Sequence, residues 1–190
     1  LETNTTGANN VAIGSTALLS NTTASNATAV GYQAMYSNTT GGENVGVGRE
    51  ALRSNTTGGS NTAVGYQAGN FTTTASNSTF IGRRAGYANT TGAFNTAFGK
   101  GAGQAITTGG SNVCIGGESG LATNLTTGTG NTLIGQYSHP TAADANYANG
   151  MGYDISAAGG YTTVGKSVDD IRAAHGVATW ATVSDERYKK

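Results

Sequence analysis

Apolar residues recur along this chain in short runs on a fixed interval, not at helical spacing. Ile13, Val30, Val47, Val64, Ile81, Phe98, Ile115 and Ile134 each stand immediately before a glycine. Two residues earlier stand Val11, Thr28, Val45, Thr62, Thr79, Thr96, Val113 and Thr132. Side chains alternate along a strand, so these two columns share one face. Nearly all are β-branched or aromatic, the types that suit a pleated surface. The residue between them points the other way and is also small or apolar: Ala12, Ala29, Gly46, Ala63, Phe80, Ala97, Cys114 and Leu133. A strand apolar on both faces is ordinarily covered on both. A lone coil covers only its inner face. The pattern therefore predicts that Val30, Val47, Val64, Ile81 and Ile115 stack in one column out of solvent. It also predicts that Ala29, Ala63, Ala97 and Cys114 lie near a three-fold axis or a neighbouring copy. Packing of that face on a second strand of the same chain stays open.

The glycines set the period. Gly14, Gly31, Gly48, Gly65, Gly82, Gly99 and Gly116 are each 17 residues apart; Gly135 comes two residues late and Gly152 is again 17 on. Self-similarity at such a period is the mark of a solenoid. The fold class expected is all-β, a parallel β-solenoid forming a trimeric fibre over residues 1–138. The rest of each period reads as a corner, a second short strand and a turn. A small-residue column runs through Ala17, Ala34, Ala51, Ala68, Ala85, Ala102 and Ser119, and Thr-Thr-Gly turns recur, as at Thr39-Thr40-Gly41 and Thr90-Thr91-Gly92. Asn10, Asn44, Asn61, Asn95, Asn112 and Asn131 open successive periods. Their stacked amides could satisfy turn backbone from one coil to the next. Coils stack at about 4.8 Å, so eight or nine make a rod of roughly 40 Å.

From about His139 the period breaks. Residues 139–183 read as a small mixed cap. Asp144 to Met151 is irregular, and Tyr161 to Gly165 forms one more strand. Ser167 caps a short helix whose first turn carries Asp169 and Asp170 and which ends near Gly176. Val177 to Val183 forms a closing strand, with Trp180 packed at the trimer end.

Charge changes the picture mainly by exclusion. Of 190 residues, 31 are glycine and 11% are charged, with formal net charge zero. No Lys/Arg run precedes the last four residues, which argues against a nucleic-acid partner, and no apolar run approaches the roughly 20 residues of a membrane span. Cys114 is the only cysteine. It excludes an intrachain disulfide and reads as a small buried hydrophobe. His139 and His175 lack neighbours at metal-ligand spacing, so no metal or other cofactor is expected. Glycan cleavage needs two carboxyl groups at a set separation. Glu43 and Glu50 sit at different corners, so an enzyme is not expected. One column does carry candidate recognition chemistry: Tyr32, Arg49, Tyr66, Arg83 and Lys100 follow the period glycines, with Gln33, Glu50, Gln67 and Arg84 beside them. Such groups could grip a surface receptor or brace one another by cation–π contact.

The string from Asn61 to Ala68, Asn-Thr-Ala-Val-Gly-Tyr-Gln-Ala, resembles the head repeats of trimeric autotransporter adhesins. The 17-residue form with its Asn-Thr-Thr-Gly turns resembles repeats of phage tail-fibre proteins. The closing Ser184-Asp185-Glu186-Arg187-Tyr188-Lys189 resembles the start of the self-cleaving intramolecular chaperone of endosialidases and other phage tail spikes. That resemblance implies cleavage before Ser184, with Ser184 as nucleophile, Lys189 as its base, and Asp185 and Arg187 in support, once the rest of the chaperone follows residues 184–190. It further implies a homotrimeric virion tail fibre that binds a host surface glycan or protein and joins other tail proteins. The rival implication is an adhesin head on a bacterial outer-membrane surface.

Overall fold

A computed structural model of the chain describes residues 1–121, 125–166, 169–176 and 181–182. The chain winds as a parallel β-solenoid of about nine turns spaced by about 17 residues. Eight three-residue strands, β1 (Val11–Ile13), β2 (Thr28–Val30), β3 (Val45–Val47), β4 (Thr62–Val64), β5 (Thr79–Ile81), β6 (Thr96–Phe98), β7 (Val113–Ile115) and β8 (Thr132–Ile134), pair in register with their neighbours. Val30 therefore stacks on Val47, Val64 and Ile81, and Phe98 on Ile115.

The column is as expected, but its direction is reversed. Val64 and Ile115 are each 37% exposed and Ile13 is 60% exposed, whereas Ala29, Ala63 and Cys114 are fully buried. The reason is room. The facing wall of each coil carries the column of Ala34, Ala51, Ala68, Ala85 and Ala102, all fully buried, and this narrow interior admits one row of mostly small side chains. The β-branched row must then face out. Ala29, Ala63, Ala97 and Cys114 thus pack on their own chain and not on a neighbouring copy.

The interior balances volume coil by coil. Where the strand offers Gly46, the facing wall offers Met35; a Cβ on Gly46 would lie 2.8 Å from Met35 Cγ. Where the strand offers Phe80, the wall offers Gly69 and Gly86, and a Cβ on Gly69 would lie 2.8 Å from Phe80 Cδ2. Native interiors are packed as densely as organic crystals, so neighbouring coils must trade volume in this way.

Among the described residues the expected second strand forms only in the last coils, at His139–Pro140 and Ser156–Ala157; across residues 16–20 and their equivalents up to residue 121 there is none. Instead φ is positive at alternate positions: 54° at Gln33 and 52° at Met35, 59° at Glu50 and 48° at Leu52. Their N–H groups reach opposite ways along the rod, Gln33 to Ser15 O at 3.0 Å and Met35 to Ala51 O at 2.9 Å. These bonds offset the strain of roughly 1–2 kcal/mol that each non-glycine residue carries there. The period glycines are required twice over. Gly31 has φ 133°, and a Cβ on it would lie 2.6 Å from the Gly48 carbonyl oxygen of the next coil.

Two buried asparagine ladders hold the turns. Along one, Asn61 N–H donates to Asn44 Oδ1 (2.8 Å), Asn112 N–H to Asn95 Oδ1 (3.0 Å) and Asn131 N–H to Asn112 Oδ1 (3.0 Å). Along the other, Asn21 Nδ2 donates to Asn4 Oδ1 (2.7 Å), and Asn55 Nδ2 to Asn38 Oδ1 (2.7 Å). The second ladder stops at Thr72, leaving Asn55 Oδ1 and Thr72 Oγ1 buried without a partner. Beside them, threonine hydroxyls such as Thr39 and Thr56 each donate to the next coil's threonine carbonyl, at 3.0 and 3.1 Å.

The solenoid runs past residue 138. β9 (His139–Pro140) pairs in parallel with β11 (Ser156–Ala157), and β10 (Asn149–Tyr153) pairs in parallel with β8 and with β12 (Tyr161–Lys166). The stretch 144–151, expected to be irregular, thus ends in a regular strand. The helix expected after Ser167 is not there: Asp169–Ala174 is strand β13, antiparallel to β12. The open edge of β12 gains six paired residues from it, which outweighs the local helix signals. β14 (Ala181–Thr182) pairs antiparallel with β13, as a closing strand should. There is no helix among the described residues.

Candidate functional site

The corner after each period glycine carries the chain's most distinctive side chains. Stacking puts Tyr32, Arg49, Tyr66 and Arg83 in one file. The Arg49 guanidinium lies 5.7 Å from the ring centres of both Tyr32 and Tyr66, and that of Arg83 lies 5.9 Å from Tyr66. Lys100 continues the file and pairs with Glu118 at 3.0 Å. All five residues singled out in the sequence therefore belong to one surface. Tyr66 is flanked by guanidinium groups on both ring faces, so it presents its edge and hydroxyl outward.

The next file is polar and cross-linked. Gln67 donates to Glu50 Oε2 at 2.7 Å, and Arg49 pairs with Glu50 at 3.0 Å. The Gln67 amide first, and Arg49 in support, hold the Glu50 carboxyl below its ordinary pKa against a small cost of burial.

A third file was not singled out from the sequence: Tyr36, Arg53, Asn70 and Tyr87, five residues after the glycines. Arg53 Nε donates to Gln33 Oε1 at 3.1 Å and its guanidinium lies 5.8 Å from the Tyr36 ring. The Arg84 guanidinium lies 4.1 Å from the Tyr87 ring, and Tyr87 meets Phe71 edge-on at 5.0 Å. The period itself was the signal that could have found this file. The missing information was that the positive-φ corner folds it back beside the other two.

Elsewhere polar side chains pair with their near neighbours. Glu43 accepts from Ser60 at 3.0 Å on another corner. His139 Nδ1 lies 3.0 Å from Pro140 O, and His175 Nε2 lies 3.2 Å from both Asn149 Nδ2 and Thr162 Oγ1. Burial pushes the Cys114 thiol up to about 12. Among the described residues no group of three metal-ligating side chains converges, and no helix is long and apolar enough to cross a membrane. Trp180 and the four residues of the cleavage motif, Ser184, Asp185, Arg187 and Lys189, lie outside the described residues.

Comparison of the chain with protein-family models, curated proteins and solved structures finds no match.

Proposed function

We propose that this chain is a rod-like segment of a homotrimeric phage tail fibre that attaches a virion to its host-cell surface. The observation carrying this reading is a pair of parallel stripes along one rod. One is the outward apolar column from Ile13 through Val64, Phe98 and Ile115 to Ile134, with Phe98 54% exposed. The other is the file of stacked tyrosines and arginines. A contiguous exposed apolar stripe favours association with a partner, and identical stripes on identical rods serve one another. Burial would contribute about 25 cal/mol per Å² of apolar surface. The tyrosine–arginine corner is then left to meet a receptor.

The virion assignment rests on the resemblance of the 17-residue repeat to phage fibres and of Ser184 to Lys189 to a self-cleaving chaperone. The Asn61–Ala68 string keeps the adhesin-head reading as the alternative. Sedimentation equilibrium tests the assembly: three times the chain mass of 18.9 kDa is expected, and a stable folded monomer overturns it. Labelled chain applied to intact bacteria tests attachment: saturable binding to a restricted set of strains is expected, and uniform or absent binding overturns it.

A further inference from the structure

All five Lys and Arg residues between residues 1 and 138, Arg49, Arg53, Arg83, Arg84 and Lys100, lie in the three files of one corner. Over the same residues only two carboxylates share that corner. Glu50 is engaged by Arg49 and Gln67, and Glu118 by Lys100. Glu118 leans over Gly101, with its Cγ 3.3 Å from where a Cβ on Gly101 would stand. Arg53 donates to Gln33 Oε1, which leaves Arg83 and Arg84, side by side. Their contacts are the rings of Tyr66 and Tyr87, and among the described residues neither meets a carboxylate or a carbonyl oxygen. Arg84 Nε is buried without a hydrogen-bond partner. Planar guanidinium forks are shaped for two-oxygen anions, and an unmatched pair on a repeating corner offers a place for one.

We infer that the Arg83–Arg84 corner is a subsite for the carboxylate of an acidic polysaccharide lying along the rod, with Tyr66, Tyr87 and Lys100 around it. The inference deepens the attachment reading and rests on it. The files rise by about 4.8 Å per coil, so a linear chain along the axis meets Arg49, then Arg83 and Arg84, then Lys100 in succession. Recognition is by edges. With both faces of Tyr66 flanked by guanidinium groups, the corner presents N–H and O–H donors, which suit carboxylates and sugar hydroxyls. At Tyr66 neither ring face is left for a nucleic-acid base to stack on.

The test is binding of the whole chain to an oligogalacturonate, a carboxylated probe, by calorimetry at two salt concentrations. Neutral maltodextrin, dextran sulfate and single-stranded DNA are run beside it. Arg83→Gln with Arg84→Gln should weaken oligogalacturonate binding at least tenfold while leaving the melting curve unchanged. Lys166→Gln, which removes an exposed cation that stacks with Tyr153 several coils beyond Lys100, should leave binding within twofold. Maltodextrin should not bind, and dextran sulfate should bind no more tightly than the carboxylated probe. Equal loss in the Lys166 variant, equal binding of maltodextrin, or tighter binding of dextran sulfate or DNA through the same arginines would each overturn the subsite. Failure here with strain-restricted cell binding intact overturns only the subsite. Loss of cell binding by the parent chain overturns the attachment reading.

Discussion

Phe80 fits inside its coil because Gly86, on the facing wall, has no Cβ; one built there would collide with Cδ1 and Cε1 of the ring. Two coils earlier the sizes are exchanged, with Gly46 on the strand and Met35 and Leu52 on the wall. Gly86→Ala should therefore destabilise the rod by about 1–3 kcal/mol through overpacking, and Phe80→Ala by about 3–5 kcal/mol through the cavity it leaves. The wall position accepts a leucine backbone, since Leu52 has φ 48° and Gly86 has φ 58°. Combining Phe80→Ala with Gly86→Leu should recover part of the loss. Urea denaturation of Phe80→Ala, Gly86→Leu and their combination reads the coupling, and strict additivity would refute the size exchange.

Thr72 interrupts a ladder that asparagines build on the preceding coils. Thr72→Asn would offer its amide to the unpartnered Asn55 Oδ1. The gain expected is about 1 kcal/mol, the net worth of a hydrogen bond plus relief of a buried orphan. A lower melting temperature in the variant would count against the ladder as drawn.

Cys114 gives a pH signature. Its thiol holds its proton to about 12 in the folded chain, against 9.0 for an ordinary cysteine. The unfolded state thus loses its proton first, and stability should fall as pH rises through the window from about 9 to 12. Native chain should resist iodoacetamide at pH 8 and react only after denaturation. Rapid alkylation of folded protein would place the thiol elsewhere.

Neighbouring strand residues should answer the same substitution differently. Ala63→Glu puts a charge into the filled interior and should prevent folding. Val64→Glu with Ile81→Glu places charges on the outward stripe; circular dichroism should stay native while the assembly dissociates. Retained trimers in the double variant would show that copies meet through another face.

The Ser184 motif predicts processing. Chain expressed together with the remainder of a chaperone domain should split between Val183 and Ser184, because a desolvated lysine can take the serine proton. Mass spectrometry of Ser184→Ala and Lys189→Ala should find the bond intact. Normal cleavage in both variants removes these residues from the chemistry.

The 17-residue period made the coil count, the strand register and the Tyr32–Arg83 file legible from the sequence. The sense of the strand faces was not legible. Ala29 and Val30 are both apolar, and alternation alone cannot say which points inward when the opposite wall is unknown. The Asn21–Asn38–Asn55 ladder was hidden for a similar reason: Asn-Thr-Thr reads as a turn, and nothing local says its first residue is buried. Asp169–Ala174 carried local helix signals, but the unpaired edge of β12 imposed a strand. The Arg84–Tyr87 pairing depends on the course of a corner built from positive-φ residues, which sequence propensity does not describe.

The reversal at β13 makes the rod a graduated ruler with one fixed end. Beyond β12 the strands run antiparallel, so another 17-residue coil would meet a template running the wrong way. Between β1 and β8 every coil presents its neighbour with nearly the same edge. Duplicating or deleting one whole period there should change the reach of the rod in steps of about 4.8 Å. The terminal assembly would be left untouched. Length is thereby a digital property of this chain, adjustable by recombination within the gene without redesign of either interface.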